Sequence, residues 1–161
     1  MSTVIDIAST ARDISDVGSL FRDYATWLAQ DHAVPRAGLG IDAELAGMPG
    51  IYGPPWGRLL LARTADGRAV ACVALRPFDR ETGEIKRLYV RPEGRGQALG
   101  VRMADAAIAA ARDVGYSRLV LDTIADAMPQ AQRIYERLGF VTIPAYYSSP
   151  LDGIRYMGLD L

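Results

Sequence analysis

From Glu84 to Gly100 the chain reads Glu-Ile-Lys-Arg-Leu-Tyr-Val-Arg-Pro-Glu-Gly-Arg-Gly-Gln-Ala-Leu-Gly, and an alanine-rich run from Val101 to Val114 follows directly. Ile85, Leu88, Tyr89 and Val90 read as a strand, Pro92 and Gly94 punctuate it, and from Gln97 onward the apolar residues take helical spacing. A strand that passes through a glycine loop into a helix presents amide N–H groups without intrahelical partners. Together with the helix dipole they form an anion site. Gly94, Gly96 and Gly100 admit a bulky ligand close to the backbone, and Arg95 adds a guanidinium fork for phosphate oxygens. The chemistry these residues suit is phosphate binding.

Several ligand classes use such a turn. A P-loop is excluded, because no Gly-Lys-Ser or Gly-Lys-Thr follows the glycines. A dinucleotide fingerprint matches in part: Gly94, Gly96 and Gly100 are followed by Asp122 at the end of the next strand, where a ribose-binding acid would stand. The third glycine falls one position late, and too little chain follows for the second half of a doubly wound sheet. NAD-type binding is the runner-up for the ligand.

Composition narrows the remaining classes. The chain has 161 residues, half of them hydrophobic, which fits one domain (1–161) with a sizeable core. No apolar run is long enough to span a membrane and the N-terminus lacks the regions of a signal peptide, so the expected compartment is cytoplasmic. Cys72 is the only cysteine and His32 the only histidine. A disulfide, a cysteine or multi-histidine metal centre and a histidine-dependent triad are therefore not expected. Net charge −1 argues against a nucleic-acid partner. Lys86, Arg87, Arg91, Arg95 and Arg102 nevertheless cluster around the glycine loop, a local basic patch suited to a small phosphorylated ligand.

The elements that position the loop follow from periodicity. Thr3 to Ile7 is an edge strand. A helix from Asp13, with Asp16 in a cap-like position, carries Val17, Leu20, Phe21, Tyr24 and Leu28 on one stripe. That stripe is core, while Tyr24 and Trp27 have polar atoms that suit a cleft. Arg22, Asp23 and His32 read as solvated. After a short helix at Asp42–Ala46, three prolines and three glycines between Met48 and Gly57 predict irregular chain that borders a pocket or pins a loop. Arg58–Arg63 and Arg68–Phe78 form a hairpin turned at Asp66-Gly67. Cys72, inside the second of these strands, reads as a buried small hydrophobe rather than an acetyl-cysteine nucleophile. The helix after the loop ends at Gly115. Arg118–Thr123 is then a strand parallel to Glu84–Val90, with Asp122 orienting a neighbouring loop. A second helix spans Gln130–Leu138 behind Pro129, and Phe140–Ile143 and Ile154–Leu161 close the sheet.

Arg95-Gly-Gln-Ala-Leu-Gly100 resembles the pyrophosphate loop of the GNAT N-acetyltransferases, Arg/Gln-x-x-Gly-x-Gly/Ala, with Ala98 in place of the middle glycine. Tyr135-Glu-Arg-Leu-Gly-Phe140 resembles the second motif of that family. The likeness extends to Pro49–Arg63, Leu121–Thr123 and Pro144–Pro150, and is similar to a bacterial subgroup without an assigned substrate. It implies an α/β fold of α+β type: a mixed, mostly antiparallel sheet of about six to seven strands flanked by helices, with a splay between the two central parallel strands. It also implies acetyl-CoA as cosubstrate, held by Leu88, Tyr89, Val90, Arg95, Gly96, Gln97, Ala98, Leu99, Gly100 and Val101, with no metal. Family logic makes Glu84 the candidate base, directly or through water, against a salt bridge to Lys86 or Arg87. Tyr135 becomes the candidate acid for the leaving thiolate. Met128 stands where members often carry an asparagine that touches CoA. Tyr52, Trp56, Arg87, Tyr146 and Tyr147 are the acceptor-pocket candidates, with Arg87 suited to an acceptor carboxylate. The implied activity is direct N-acetylation of a small-molecule amine or amino acid by a possible homodimer. A noncatalytic acyl-CoA sensor is the alternative.

Overall fold

In the computed structural model, which describes residues 2–161, strand β1 (Thr3–Ile7) leads into helix α1 (Ala11–His32). The helix starts before Asp13. Thr10 is its N-cap, accepting the Asp13 amide, and the Asp13 carboxylate accepts the Ser9 and Thr10 amides in return. This capping box satisfies amides that the first turn leaves without partners. It also leaves Asp13 and Asp16 each 2.8 Å from Arg63, so both acids tie the helix to the sheet. The Val17, Leu20, Phe21, Tyr24 and Leu28 stripe is buried, as its spacing predicts.

Helix α2 (Ile41–Ala46) comes next, then a 3₁₀ turn at Gly50–Tyr52 inside the stretch whose prolines predict irregular chain. Strands β2 (Arg58–Thr64), β3 (Ala69–Pro77) and β4 (Thr82–Val90) form an antiparallel meander. Helix α3 (Leu99–Val114) crosses to β5 (Arg118–Ile124), and α4 (Pro129–Arg137), β6 (Val141–Thr142) and β7 (Ile154–Asp160) complete the chain. The seven-stranded sheet runs β1-β2-β3-β4-β5-β7-β6. Strand β7 inserts beside β5, so β4–β5 is the one parallel pair among the described residues. That topology removes the doubly wound sheet that NAD binding would need. Two cores sandwich the sheet. Met103, Ala107, Ala111, Leu121 and Tyr135 pack on one face, and Phe21, Leu28, Tyr52, Leu61 and Cys72 on the other.

Two irregularities in β4 shape the centre of the molecule. Its pairing with β5 stops at Ile85↔Leu121, so the strands part from Lys86 and Asp122 onward. On its other edge Cys72 pairs with Tyr89 but Ala74 with Lys86, so Val73 faces both Arg87 and Leu88 in a β-bulge. Arg87 takes the left-handed φ of 60°. Strict alternation would send Lys86 and Arg87 to opposite faces. The bulge instead keeps both on the cavity wall on the α1 side and turns Leu88 and Val90 toward the α3 core.

Candidate functional site

Two cavities meet at the splay. The first, about 600 Å³, lies where β4 runs into α3 and is lined by Leu88, Tyr89, Val90, Arg95, Gly96, Ala98, Leu99, Gly100 and Val101. Of the cofactor residues read from sequence, Gln97 alone is absent from this wall. Helix α3 begins at Leu99 rather than Gln97, because Ala98 is its N-cap in a left-handed conformation, φ 52° and ψ 28°. From Gly96 to Val101 no amide donates to a described acceptor, and the first helical bond is Arg102 N to Ala98 O, 3.1 Å. Five of these six successive residues, all but Gln97, border one cavity at the positive end of a helix.

The glycines of this loop divide their work. Gly96, at φ 88°, has open space where a side chain would stand. It supplies the turn and keeps the amides accessible. A Cβ on Gly100 would come within 2.9 Å of Ile134 Cδ1, so this glycine also lets α4 approach α3. Gly94 is buried against Val70 and serves the core rather than a ligand.

The basic patch counted in sequence is largely engaged within the protein. Lys86 pairs with Asp122, Arg87 with Glu44 and Arg91 with Asp23, while Arg102 donates to Thr3. Arg95 has no acidic partner among the described residues, and its Nε donates to Val90 O at 3.2 Å. Tyr24, Trp27 and His32 of α1 line the wall too, as does the start of α4. His32, read as solvated, stacks edge-on against Trp27 with centroids 4.8 Å apart. A lone histidine at a helix C-terminus carries no sequence signal for that position.

The second cavity, about 610 Å³, opens on the other side of the splay, and Tyr24 and Met128 line both. Its wall carries three acid–base pairs: Arg76–Glu84 at 2.7 Å, Lys86–Asp122 at 3.3 Å and Arg87–Glu44 at 3.0 Å. Arg76 faces Glu84 across the β3–β4 register. Counting outward from the turn at Asp79–Glu81 would have found it. Glu84 is 2 % exposed, and both of its oxygens are engaged, Oε1 by Arg76 and Oε2 by the Tyr146 hydroxyl. The partner differs from the Lys86 or Arg87 expected, and the arrangement fits a direct proton acceptor badly. Phe78, Tyr146 and Tyr147 form an aromatic side of the cavity, Phe78 and Tyr146 standing edge-to-face at 5.0 Å. Burial raises the phenols of Tyr146 and Tyr147, and the carboxylates they bond, Glu84 and Asp122, add to the rise. Asp122 orients the Tyr147 loop, as its position in the sequence suggested.

Three acceptor candidates move. Arg87 lines the cavity, but its fork is closed on Glu44 and on the Leu39 carbonyl, so it braces the wall instead of waiting for a carboxylate. Tyr52 is 2 % exposed and donates to Glu44 at 2.7 Å, behind that wall. Trp56 stands outside both cavities, 57 % exposed, and its carbonyl accepts the Tyr116 hydroxyl. Tyr135 is buried against Phe140 on α4, and its hydroxyl donates to no described residue. Burial raises its phenol above the ordinary value, and Tyr24 and Asp122 add to the effect. Cys72 is fully buried and its thiol is pushed up to about 12 by burial, which suits a core residue and not a nucleophile.

A helix N-terminus facing an opened parallel pair, with a second cavity behind it, suits an anionic ligand on one side and a second molecule on the other. The profile of the Acetyltransferase (GNAT) family matches residues 18–140. An uncharacterised N-acetyltransferase of Schizosaccharomyces pombe is 38% identical over 158 residues, covering 98% of this chain and 94% of the relative. The fold matches that of the PaiA N-acetyltransferase of Thermoplasma acidophilum in complex with coenzyme A, with TM-score 0.77, 16% identity and full coverage of both chains (100%). It also matches that of YncA from Salmonella typhimurium with its cofactor acetyl-CoA, with TM-score 0.65 and 18% identity over 99% of this chain and 94% of that one. The chain belongs to the GNAT acetyltransferase family and is an acetyltransferase. Among its described residues no helix is long and apolar enough to cross a membrane.

Proposed function

We propose that the protein moves an acetyl group from acetyl-CoA to a primary amine of a small molecule or amino acid by direct attack. The observation that carries this reading is the unpartnered amide run Gly96–Val101, which shares one cavity with Leu88 and Val90 beyond the last β4–β5 pair. The pyrophosphate of acetyl-CoA fits that run, with Arg95 as an exposed cation beside it, and its pantetheine arm fits along the free edge of β4. Acetyl-CoA supplies the activated thioester. The chain's own residues align it with the second cavity through the gap that Tyr24 and Met128 frame.

Met128 replaces a polar contact with a soft one. Its sulfur accepts the Thr123 hydroxyl at 3.5 Å and the Tyr24 hydroxyl at 4.0 Å, which fixes the gap rather than the cofactor. Tyr135, with its phenol raised by burial, keeps its proton at neutral pH. It supports the departing sulfur by donating a hydrogen bond more readily than by outright transfer. On the acceptor side Arg76 uses only Nε on Glu84. Neither Nη group bonds a described residue and Arg76 lines the cavity, which leaves donors for an anionic part of the acceptor and favours an amino acid over a plain amine.

The test is calorimetric titration of the protein with acetyl-CoA and, in parallel, with NAD, followed by thiol release on a panel of primary amines and amino acids. Saturable acetyl-CoA binding with turnover supports the reading. Binding without turnover on any acceptor supports a sensor, and binding of NAD alone defeats both.

A further inference from the structure

We propose that Asp122, on the unzipped end of β5, is the carboxylate that receives the acceptor amine and takes its proton. The inference rests on the transferase reading above and names the residue that reading leaves open. Three carboxylates line the acceptor cavity, and their oxygens differ in occupation. Glu44 accepts Tyr52 and Arg87 on Oε1 and Arg87 again on Oε2. Glu84 has Arg76 on one oxygen and Tyr146 on the other. Asp122 takes both of its donors, Lys86 Nζ and the Tyr147 hydroxyl, on Oδ2. Its Oδ1 has no partner among the described residues, and none of their unpartnered side-chain oxygens is sealed from solvent. It is the one carboxylate oxygen on the wall open to a ligand.

Its position is that of the reaction. Leu121 makes the last pair with β4, so Asp122 is the first residue of β5 beyond the closed part of the sheet. Its neighbour Thr123 bonds Met128, which lines both cavities. An amine held in the second cavity has Asp122 on its wall, one residue from Thr123 and the gap. Lys86, 3.3 Å from Oδ2, disfavours a second cation beside it. A bound ammonium is therefore inclined to lose its proton, as like charges lower the pKa of an amine.

The step balances without another reactant. The acceptor ammonium gives one proton to Asp122, and the freed lone pair attacks the thioester carbonyl carbon. The C–N bond forms and the C–S bond breaks with its electron pair leaving on sulfur. The nitrogen's next proton ends on that sulfur to give the thiol, and Asp122 returns its own to water.

The experiment measures acetyl-CoA affinity by calorimetry and thiol release with linear monoamines, diamines and α-amino acids for wild type, Asp122→Asn, Asp122→Ala and Glu84→Gln. Expected are acetyl-CoA binding retained in every variant, kcat/KM lowered about 100-fold by Asp122→Asn but under about tenfold by Glu84→Gln, and partial recovery of Asp122→Ala by added formate. Recovery by a free carboxylate is a readout that a merely structural role would not move. Asp122→Asn turnover near wild type overturns the proposal, as does loss of acetyl-CoA binding in both Asp122 variants, which would make the residue a strut of the fold. A wild-type protein that binds no acetyl-CoA, or turns over none of these amines, defeats the transferase reading itself.

Discussion

The two cavities are of nearly equal volume and share Tyr24 and Met128, yet they are built on opposite principles. The cofactor side is made of backbone: successive amides at one helix N-terminus, an exposed arginine and an unpaired strand edge. The acceptor side is made of side chains from β3, β4, β5, helix α2 and the loop before β7, tied together in three ion pairs. A backbone site is specified by a short run of sequence. A side-chain site is specified by register and topology, and it is the part that neighbouring substitutions can rewire.

The largest effect expected on this contrast comes from the acceptor wall. Arg87 has a side chain only 6% exposed and is closed on Glu44, so Arg87→Met leaves a half-buried carboxylate without its cation. Such a loss costs about 3–5 kcal/mol, readable as a lower denaturant midpoint. A shift under about 1 kcal/mol would mean that water replaces the guanidinium easily. Next is Tyr135→Phe, which leaves the packing against Phe140 intact. It is expected to lower kcat about tenfold or more, with acetyl-CoA affinity held. Equal turnover would remove the hydroxyl from the reaction. Arg95→Ala tests the backbone side: with the amides intact, acetyl-CoA affinity should fall only about tenfold. A complete loss would make the side chain, not the backbone, the main anion contact.

The smallest effect concerns an element remote from both cavities. Thr10→Ala removes the α1 cap and is expected to cost about 1 kcal/mol with activity unchanged. Asp13 in the same box has its carboxyl held well below the usual range, first by Arg63 and then by the Ser9 and Thr10 amides. A depressed carboxylate contributes stability that is full above its unfolded value, near pH 4, and is lost as pH falls from there. The Asp13→Asn protein should therefore lose less stability than wild type between pH 5 and 3 in acid titrations, about these values.

The same contrast explains what could be read in the chain. The Arg95–Gly100 loop, the hairpin at Asp66-Gly67 and the α1 stripe are legible because each is written in contiguous residues, and the parallel pair because a helix of crossover length joins its strands. The wall of the acceptor cavity is not. Arg87 lands beside Lys86 because of a bulge opposite Val73, which no alternation pattern announces. Tyr52 and Trp56 carry the composition of a pocket but are directed away from it by Glu44 and Tyr116. Asp122 was read as a loop-orienting acid, and it does bond Tyr147. Its open second oxygen appears only once β4 and β5 are seen to part.

The most direct test of the account is an amide chemical-shift titration with coenzyme A. The largest perturbations are expected at Gly96–Val101, followed by Leu88 and Val90, with Glu44, Arg76 and Glu84 nearly still. Shifts concentrated in the acceptor cavity, or absent from the Gly96–Val101 amides at saturation, would contradict the assignment of the two cavities.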